Sequence, residues 1–343
     1  MTPSPTLALV APDGPSDVPP ETVLLGLPIL RRSVLAAERA GYGRILVVGA
    51  TPAMRTAIEG TAAEIASAAP PDARRLSWNR SVTTRDLREL RDGAESVGVS
   101  IATRQDLRRA EKTLLQGLIK DTEGFMSRHF DRKISLAISR RLAATSVTPN
   151  AMTFVSVAIG VFGALFFLSP KPAMQTAGAL CFLLHSIVDG CDGELARLKF
   201  QESRWGGLLD FWGDNLVHFA VYTAIAAGWS RAIGKPWPLL LGAAAIVGNL
   251  LSAGFVHRQT MAAAAAPGEN HDGPLFTHVS KRSSPASRLA DELARRDFIY
   301  LVLILSLFGK AGWFLVMAAA GAPIFFLGLI GISLAERSIG STA

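Results

Sequence analysis

"HSIVDGCDGELARLKFQESRWGGLLDFWGDNLVHF" runs from His185 to Phe219 and sets four aspartates, Asp189, Asp192, Asp210 and Asp214, inside the apolar half of the chain. A charged side chain at the centre of a membrane helix costs about 2.5–3.5 kcal/mol. Four in one stretch therefore demand a compensating partner. Asp189 and Asp192 are three residues apart, and Asp210 and Asp214 four. On helices each pair shares one face. Both pairs flank a short polar connection, so two antiparallel helices would bring them together. The stretch offers no matching set of buried bases, and four facing carboxylates repel unless a cation sits between them. Oxygen-only ligands suit Mg²⁺, Mn²⁺ or Ca²⁺ rather than zinc. Two such ions could neutralise a diphosphate and clamp a phosphoryl group in transfer. Gly190, Gly193, Gly206 and Gly207 leave room for close approach, Ala196 does so more mildly, and Arg197 carries a fork for phosphate oxygens.

Around this stretch the chain of 343 residues divides by composition. Residues 1 to about 145 are mixed and charge-rich, whereas 151–335 hold long apolar runs. The expected organisation is an α/β domain over 1–115, a linker with an interfacial amphipathic helix over 116–146, and a helical membrane domain over 147–343. The net charge of +7 fits the basic excess of cytoplasmic loops. No basic face interleaved with aromatics stands out, which argues against nucleic-acid binding. Cys181 and Cys191 form no metal spacing and suggest no disulfide framework. The start, "MTPSPTLALVAPDG", lacks the pattern of a secretory signal.

In the first part, 6–12, 44–50 and 97–103 read as strands. Stretches 28–41, 52–69, 83–96 and 105–120 read as helices, with "PPDARR" (70–75) a loop. The alternation predicts a mainly parallel sheet in a Rossmann-type α/β layer domain. In 124–150 the apolar positions Phe130, Ile134, Ala137, Ile138 and Leu142 recur at helical steps, with Arg128, Arg132, Lys133, Arg140 and Arg141 on other faces. That pattern predicts a helix lying in the membrane interface.

Six spans are expected, at about 151–169, 174–191, 206–229, 237–256, 297–309 and 312–335. The fifth run is short of the roughly 20 residues a span needs, so either its helix begins near Asp291 or the break at Gly309–Gly312 lies elsewhere. Lysines and arginines concentrate in the loops after spans two and four, which places both termini and the aspartates on the cytoplasmic side. Trp229, Trp237 and Trp313 then fall at the outer interface. His185 and His218 flank the aspartates and are read as packed or hydrogen-bonded side chains. His257, His271 and His278 are scattered around a polar loop without ligand spacing.

The order Asp189-Gly-Cys-Asp192-Gly193-Glu-Leu-Ala196-Arg197, eight residues, Gly206, three residues, Asp210, three residues, Asp214 resembles the signature of the CDP-alcohol phosphotransferase family at every fixed position. The upstream "SRHFDRKISLAISRRLAATSVTPNAMT" is similar to that family's interfacial helix and first span. The resemblance implies a six-helix integral membrane enzyme of a bacterial or archaeal cell membrane, homodimeric, with its site open to the cytoplasm. Such an enzyme passes a phospho-alcohol from a CDP-alcohol donor to an alcohol acceptor and releases CMP. By position, Asp189, Asp192, Asp210 and Asp214 would hold two Mg²⁺ or Mn²⁺ ions, and Asp214 would also be the general base. Gly193 and Ala196 would make room for cytidine, with Gly206 close by. Arg197 would bind the diphosphate, and Asn150 and Thr153 would line the nucleotide site.

The first part resembles a sugar-phosphate nucleotidyltransferase. Its junction, "GVSIATRQDLRRAEKTLLQGLIKDTEGFMSR", resembles that of fusions of an inositol-phosphate cytidylyltransferase with a di-inositol-phosphate phosphate synthase. The stretch after the first strand, "LVAPDGPSDVPPETVLL", has no Lys or Arg before Arg31, so this domain is expected to be degenerate. The fusion resemblance points to an acceptor such as inositol phosphate. Other readings stay open: a phospholipid or sphingolipid head-group synthase with a lipid acceptor or a CDP-diacylglycerol donor, an intramembrane cation transporter, and an inactive scaffold. A transporter would need acids spread through the bilayer depth, and spans four to six lack internal acids.

Overall fold

The computed structural model describes residues 5–119, 126–264 and 298–340, with side chains to 261 and 334 in the last two stretches. The expected start of the fifth span near Asp291, together with His271 and His278, lies outside the described residues. The chain forms two compact units. The first comprises Met1–Ile119, Arg140–Ser146 and Leu198–Phe200, and the second Lys120–Ser139, Val147–Arg197 and Gln201–Ala343.

The first unit runs β1 (Thr6–Val10), β2 (Val23–Leu24), β3 (Leu27–Pro28), α1 (Ile29–Arg39), β4 (Arg44–Val48), α2 (Pro52–Ala57), β5 (Ala63–Ala66), β6 (Arg74–Ser77), β7 (Arg80–Ser81), α3 (Thr84–Arg91), β8 (Val99–Ser100) and α4 (Arg104–Gln116). A parallel sheet in the order β5-β4-β1-β6 is its centre. The strand first in sequence lies inside, with later strands on both sides, which is the opening order of a doubly wound α/β sheet. Leu7, Leu9, Ile45 and Val47 pack against Leu30, Val34 and Ala37 of α1. Gly41, at φ 82°, follows α1 in the left-handed conformation that ends helices. α3 and α4 each start with a capping box, Thr83 with Asp86 and Thr103 with Asp106.

Three expectations here need correction. The helix read over 52–69 stops at Ala57, and its second half is strand β5. The loop read over 70–75 runs into strand β6, paired with β1. The strand read over 97–103 is only the bridge Val99–Ser100, antiparallel to β7 and outside the main sheet. Parallel pairing with β4 outweighs the helix preference of the alanine-rich segment. Gly98, at φ 71°, breaks the third strand before it can lengthen.

Arg32 of α1 is the buried cation of this unit. It donates to the carbonyls of Leu24 (2.8 Å), Leu25 (3.0 Å) and Leu198 (2.8 Å). Its guanidinium and that of Arg39 lie 5.8 and 5.2 Å from the Phe200 ring centroid. Burial pushes the Arg32 pKa down to about 10, which leaves it charged at neutral pH.

The second unit is helical. A π-turn (Ser127–Asp131) leads into α5 (Arg132–Leu142). Then follow α6 (Pro149–Phe166), α7 (Pro172–Lys199), α8 (Arg204–Ile233), α9 (Trp237–Ala264), α10 (Phe298–Leu307) and α11 (Ala311–Gly340). Among the described residues, three helices are long and apolar enough to cross a membrane: Pro149–Phe166, Trp237–Met261 and Ala311–Leu334. Their large side chains point outward, as Phe154, Phe162, Leu240 and Leu327 do, so the surrounding solvent they suit is lipid. Contacts between helices rest on small residues. A Cβ on Gly228 would come 2.2 Å from the Phe167 carbonyl oxygen, and one on Gly248 2.7 Å from the Pro323 nitrogen. Trp229 packs edge-to-face on Trp237 and its ring covers Gly312, which gathers the end of α8 and the starts of α9 and α11. The helix at the start of this unit is inverted relative to a surface helix of a soluble protein. Asp131, Ser135 and Ser139 are buried, whereas Phe130, Ile134 and Ala137 are exposed. An outward apolar stripe is what a membrane interface favours.

Candidate active site

α7 and α8 are joined by four residues, and the connection turns at Phe200, which has φ 56°. Ser203 caps α8 by accepting from the Gly206 amide at 3.0 Å. This hairpin sets the last turns of α7 beside the first turns of α8. The carboxylates of Asp189, Asp210 and Asp214 converge, with one oxygen of each within 4.8 Å of the others. Asp189 is buried, and Asp210 and Asp214 are half-buried. Three hard oxygen donors in that space are a donor set for a divalent cation such as Mg²⁺ or Mn²⁺.

The fourth aspartate faces a different partner. Asp192 Oδ2 accepts from Thr153 Oγ1 at 2.5 Å, and its other oxygen accepts from the Gly193 amide. Thr153 lies one turn into α6, which starts because Thr148 caps it and Pro149 follows. The N-terminal end of α6 therefore lies beside an aspartate, the sign its dipole favours. Asn150 is in the first turn of that helix. A Cβ on Gly206 would come 3.2 Å from its Oδ1, so the glycine lets α6 and α8 approach. A Cβ on Gly193 would come 3.4 Å from Arg197 Nη1, so this guanidinium lies against the glycine's open side. Ala196 is half-buried, and its carbonyl accepts from the Gln201 amide where the chain leaves α7. Gly207 has open space around it.

One further side chain, His185, enters the site. His185 is buried, with Nδ1 2.9 Å from the Ser156 carbonyl and Nε2 3.5 Å from Asp214 Oδ1. The ring thus lies between a backbone carbonyl of α6 and a carboxylate of α8. Its sequence signal was the spacing to Asp189 and Asp192, four and seven residues on, which puts all three on one stripe of α7. His218, by contrast, packs among Phe182, Tyr222 and Phe298. Glu194, on the far side of α7, is fully buried and pairs with Arg132 at 2.7 Å.

A sequence model of the CDP-alcohol phosphatidyltransferase family matches residues 146–324. A protein named bifunctional IPC transferase and DIPP synthase, from Archaeoglobus fulgidus, is 38% identical over 131 residues, which are 37% of this chain and 25% of that protein. One of the same name from Rubrobacter xylanophilus is 36% identical over 183 residues, 49% of this chain and 39% of that protein. The chain thus spans well under half the length of these curated relatives. The crystal structure of Mycobacterium tuberculosis phosphatidylinositol phosphate synthase with CDP-DAG bound aligns at a TM-score of 0.39 and 18% identity, over 58% of this chain and 94% of that one.

Proposed function

The chain belongs to the CDP-alcohol phosphatidyltransferase family, and we propose that it transfers a phospho-alcohol from a CDP-alcohol to an acceptor hydroxyl with release of CMP. The observation that carries this reading is the convergence of Asp189, Asp210 and Asp214 from two helices, at the family's spacing. In this reading these three and Asp192 hold two divalent cations, Mg²⁺ or Mn²⁺. Bound there, the cations would neutralise the donor's diphosphate. Arg197 reaches the diphosphate through its fork. Gly193 and Ala196 leave space for cytidine, and Asn150, Thr153 and Gly206 border it. Asp214 takes the proton of the acceptor hydroxyl. The acceptor oxygen bonds to the phosphorus that carries the alcohol, and the phosphate oxygen bridging to CMP leaves with the bonding pair. His185 packs beside this base, with Nε2 3.5 Å from its Oδ1.

Further parts of the proposal rest on sequence. Six membrane spans, with both termini and the site cytoplasmic, rest on the lysine and arginine bias and on the six helices α6–α11. A homodimer follows the family resemblance. A degenerate nucleotidyltransferase-like role for residues 1–115 rests on the doubly wound strand order and on the lack of Lys or Arg between Val10 and Arg31. The acceptor is a polar phospho-alcohol such as inositol phosphate, a reading supported by the names of the relatives.

The test is CMP release by the purified protein in detergent. A panel of CDP-alcohols is offered with either inositol phosphate or a lipid hydroxyl as acceptor. Metal-dependent release with CDP-inositol and inositol phosphate is expected. Release only with a lipid acceptor or a CDP-diacylglycerol donor would replace the acceptor reading. No release from any pair, by folded protein with Mg²⁺ or Mn²⁺ present, would overturn the reaction.

A further inference from the structure

Glu194 occupies the side of α7 turned away from the aspartates. It is five residues past Asp189 and two past Asp192, about 140° and 200° around the helix. Its Oε1 accepts from Arg132 at 2.7 Å and from Ser135 Oγ at 2.6 Å. Its Oε2 is buried without a hydrogen-bond partner among the described residues. The same guanidinium nitrogen donates to the Gly190 carbonyl at 3.4 Å, and a Cβ on Gly190 would come 2.8 Å from it. Cys191 Sγ approaches the Ser135 carbonyl at 3.6 Å. The neighbouring Asp131, in the π-turn, accepts from the Tyr300 hydroxyl at 2.5 Å. The start of α5 is thus fastened to α7 by one charge and to α10 by the next.

A buried ion pair is a poor source of net stability, since desolvation offsets the attraction. It is a strong source of orientation, because its partners tolerate only one geometry. Orientation is what α7 needs. Its roll about its own axis sets where Asp189 and Asp192 point, and a carboxylate stands about 6 Å from that axis, so a 10° roll moves it by about 1 Å. Displacements of that size cost reaction rates about 100-fold. Thr153 on Asp192 and the Ser156 carbonyl on His185 hold the front of α7 against α6, but Asp189 faces like charges that repel it, so a hold from behind adds a constraint that the front lacks.

We propose that Arg132 and Glu194 are positioning residues, which lock the roll of α7 so that its aspartates meet those of α8. The inference rests on the metal-site reading above, but its test does not require turnover. Manganese binding to the purified full-length chain is titrated by electron paramagnetic resonance, and thermal unfolding is followed in parallel. In Arg132→Met/Glu194→Leu the pair becomes apolar, which restores packing without orientation. We expect its melting temperature near that of the parent and its Mn²⁺ affinity lower by about tenfold, as for other side chains that orient metal ligands. Glu194→Gln, which keeps the shape and the Ser135 contact, should weaken Mn²⁺ binding by about threefold to tenfold. Parent-like Mn²⁺ affinity in the folded double variant, or in Glu194→Gln should the double variant not fold, overturns the proposal. A chain that binds Mn²⁺ in this graded way but releases no CMP would instead count against the proposed reaction alone.

Discussion

Replacing Thr153 with valine tests the site at its shortest polar contact between helices. The Thr153 hydroxyl donates to Asp192 Oδ2 at 2.5 Å, and both residues are buried, at 2% and 7% exposure. Valine keeps the branched shape and removes only the hydroxyl. A hydrogen bond to a charged group contributes about 1.5–3 kcal/mol, and at roughly 1.4 kcal/mol per factor of ten that is about 10- to 150-fold. Part of the loss falls equally on the metal-free protein, where Asp192 then swings away from its neighbours. Cation affinity should therefore drop near the lower end, about tenfold, in line with other partners of metal-ligating carboxylates. Thr153→Ser keeps the donor and should stay within about threefold of the parent. The assay is Mn²⁺ titration by electron paramagnetic resonance, with the Mg²⁺ dependence of CMP release beside it. Parent-like values for Thr153→Val in both would show that this hydroxyl does not orient Asp192, or that Asp192 is not a ligand.

Chelation should abolish turnover, and added Mg²⁺ or Mn²⁺ should restore it; full activity in EDTA would refute the metal reading. Asp214→Asn keeps a carbonyl ligand but no base, so turnover in single-turnover assays should fall by at least about 100-fold with donor binding little changed. Asp189→Asn should weaken metal-dependent donor binding as well. Gly228→Ala sets a methyl against the Phe167 carbonyl and should destabilise the detergent-solubilised protein by about 1–3 kcal/mol, read as a lower melting temperature. Arg32→Met strands the carbonyls of Leu24, Leu25 and Leu198 and should cost the α/β unit about 3 kcal/mol, read by denaturant titration of the full chain.

What the sequence revealed follows the range of the interaction responsible. The aspartates were legible because their spacing is local, and helical periodicity converts three and four residues into one face. α1 was legible to within two residues because its face is periodic and Gly41 ends it. Strand β6 was not, since Leu76 is its only fully buried residue and a four-residue segment with one inward side chain shows no alternation. Strand β5 hid in an alanine-rich run, where β4 rather than local propensity decides the conformation. Glu194 read as a variable residue within the signature because its partners Arg132 and Ser135 are 62 and 59 residues away. His185 depends in the same way on Ser156, 29 residues back, and on Asp214 in the next helix.

The hydropathy of the chain carries the same lesson in reverse. α7 and α8 have 28 and 30 residues, yet neither is among the helices apolar enough to cross a membrane. Their charges are not dispersed. In α7, residues 172–188 contain no Asp, Glu, Lys or Arg, and all of its acids lie between Asp189 and Glu194. In α8 the stretch 215–230 is likewise uncharged, and the acids precede it. Each helix thus keeps an uncharged run of about 25 Å, close to the roughly 30 Å hydrocarbon core, and gathers its acids where the two helices meet. Confining carboxylates to one end limits their desolvation, and placing them face to face creates a demand for a cation. Glu194 meets that demand with Arg132, a fixed cation of the chain. In the proposed reading, Asp189, Asp210 and Asp214 would meet it with an exchangeable one, and that difference would separate the back of α7, which must stay still, from its front, where a charged donor would enter and CMP depart.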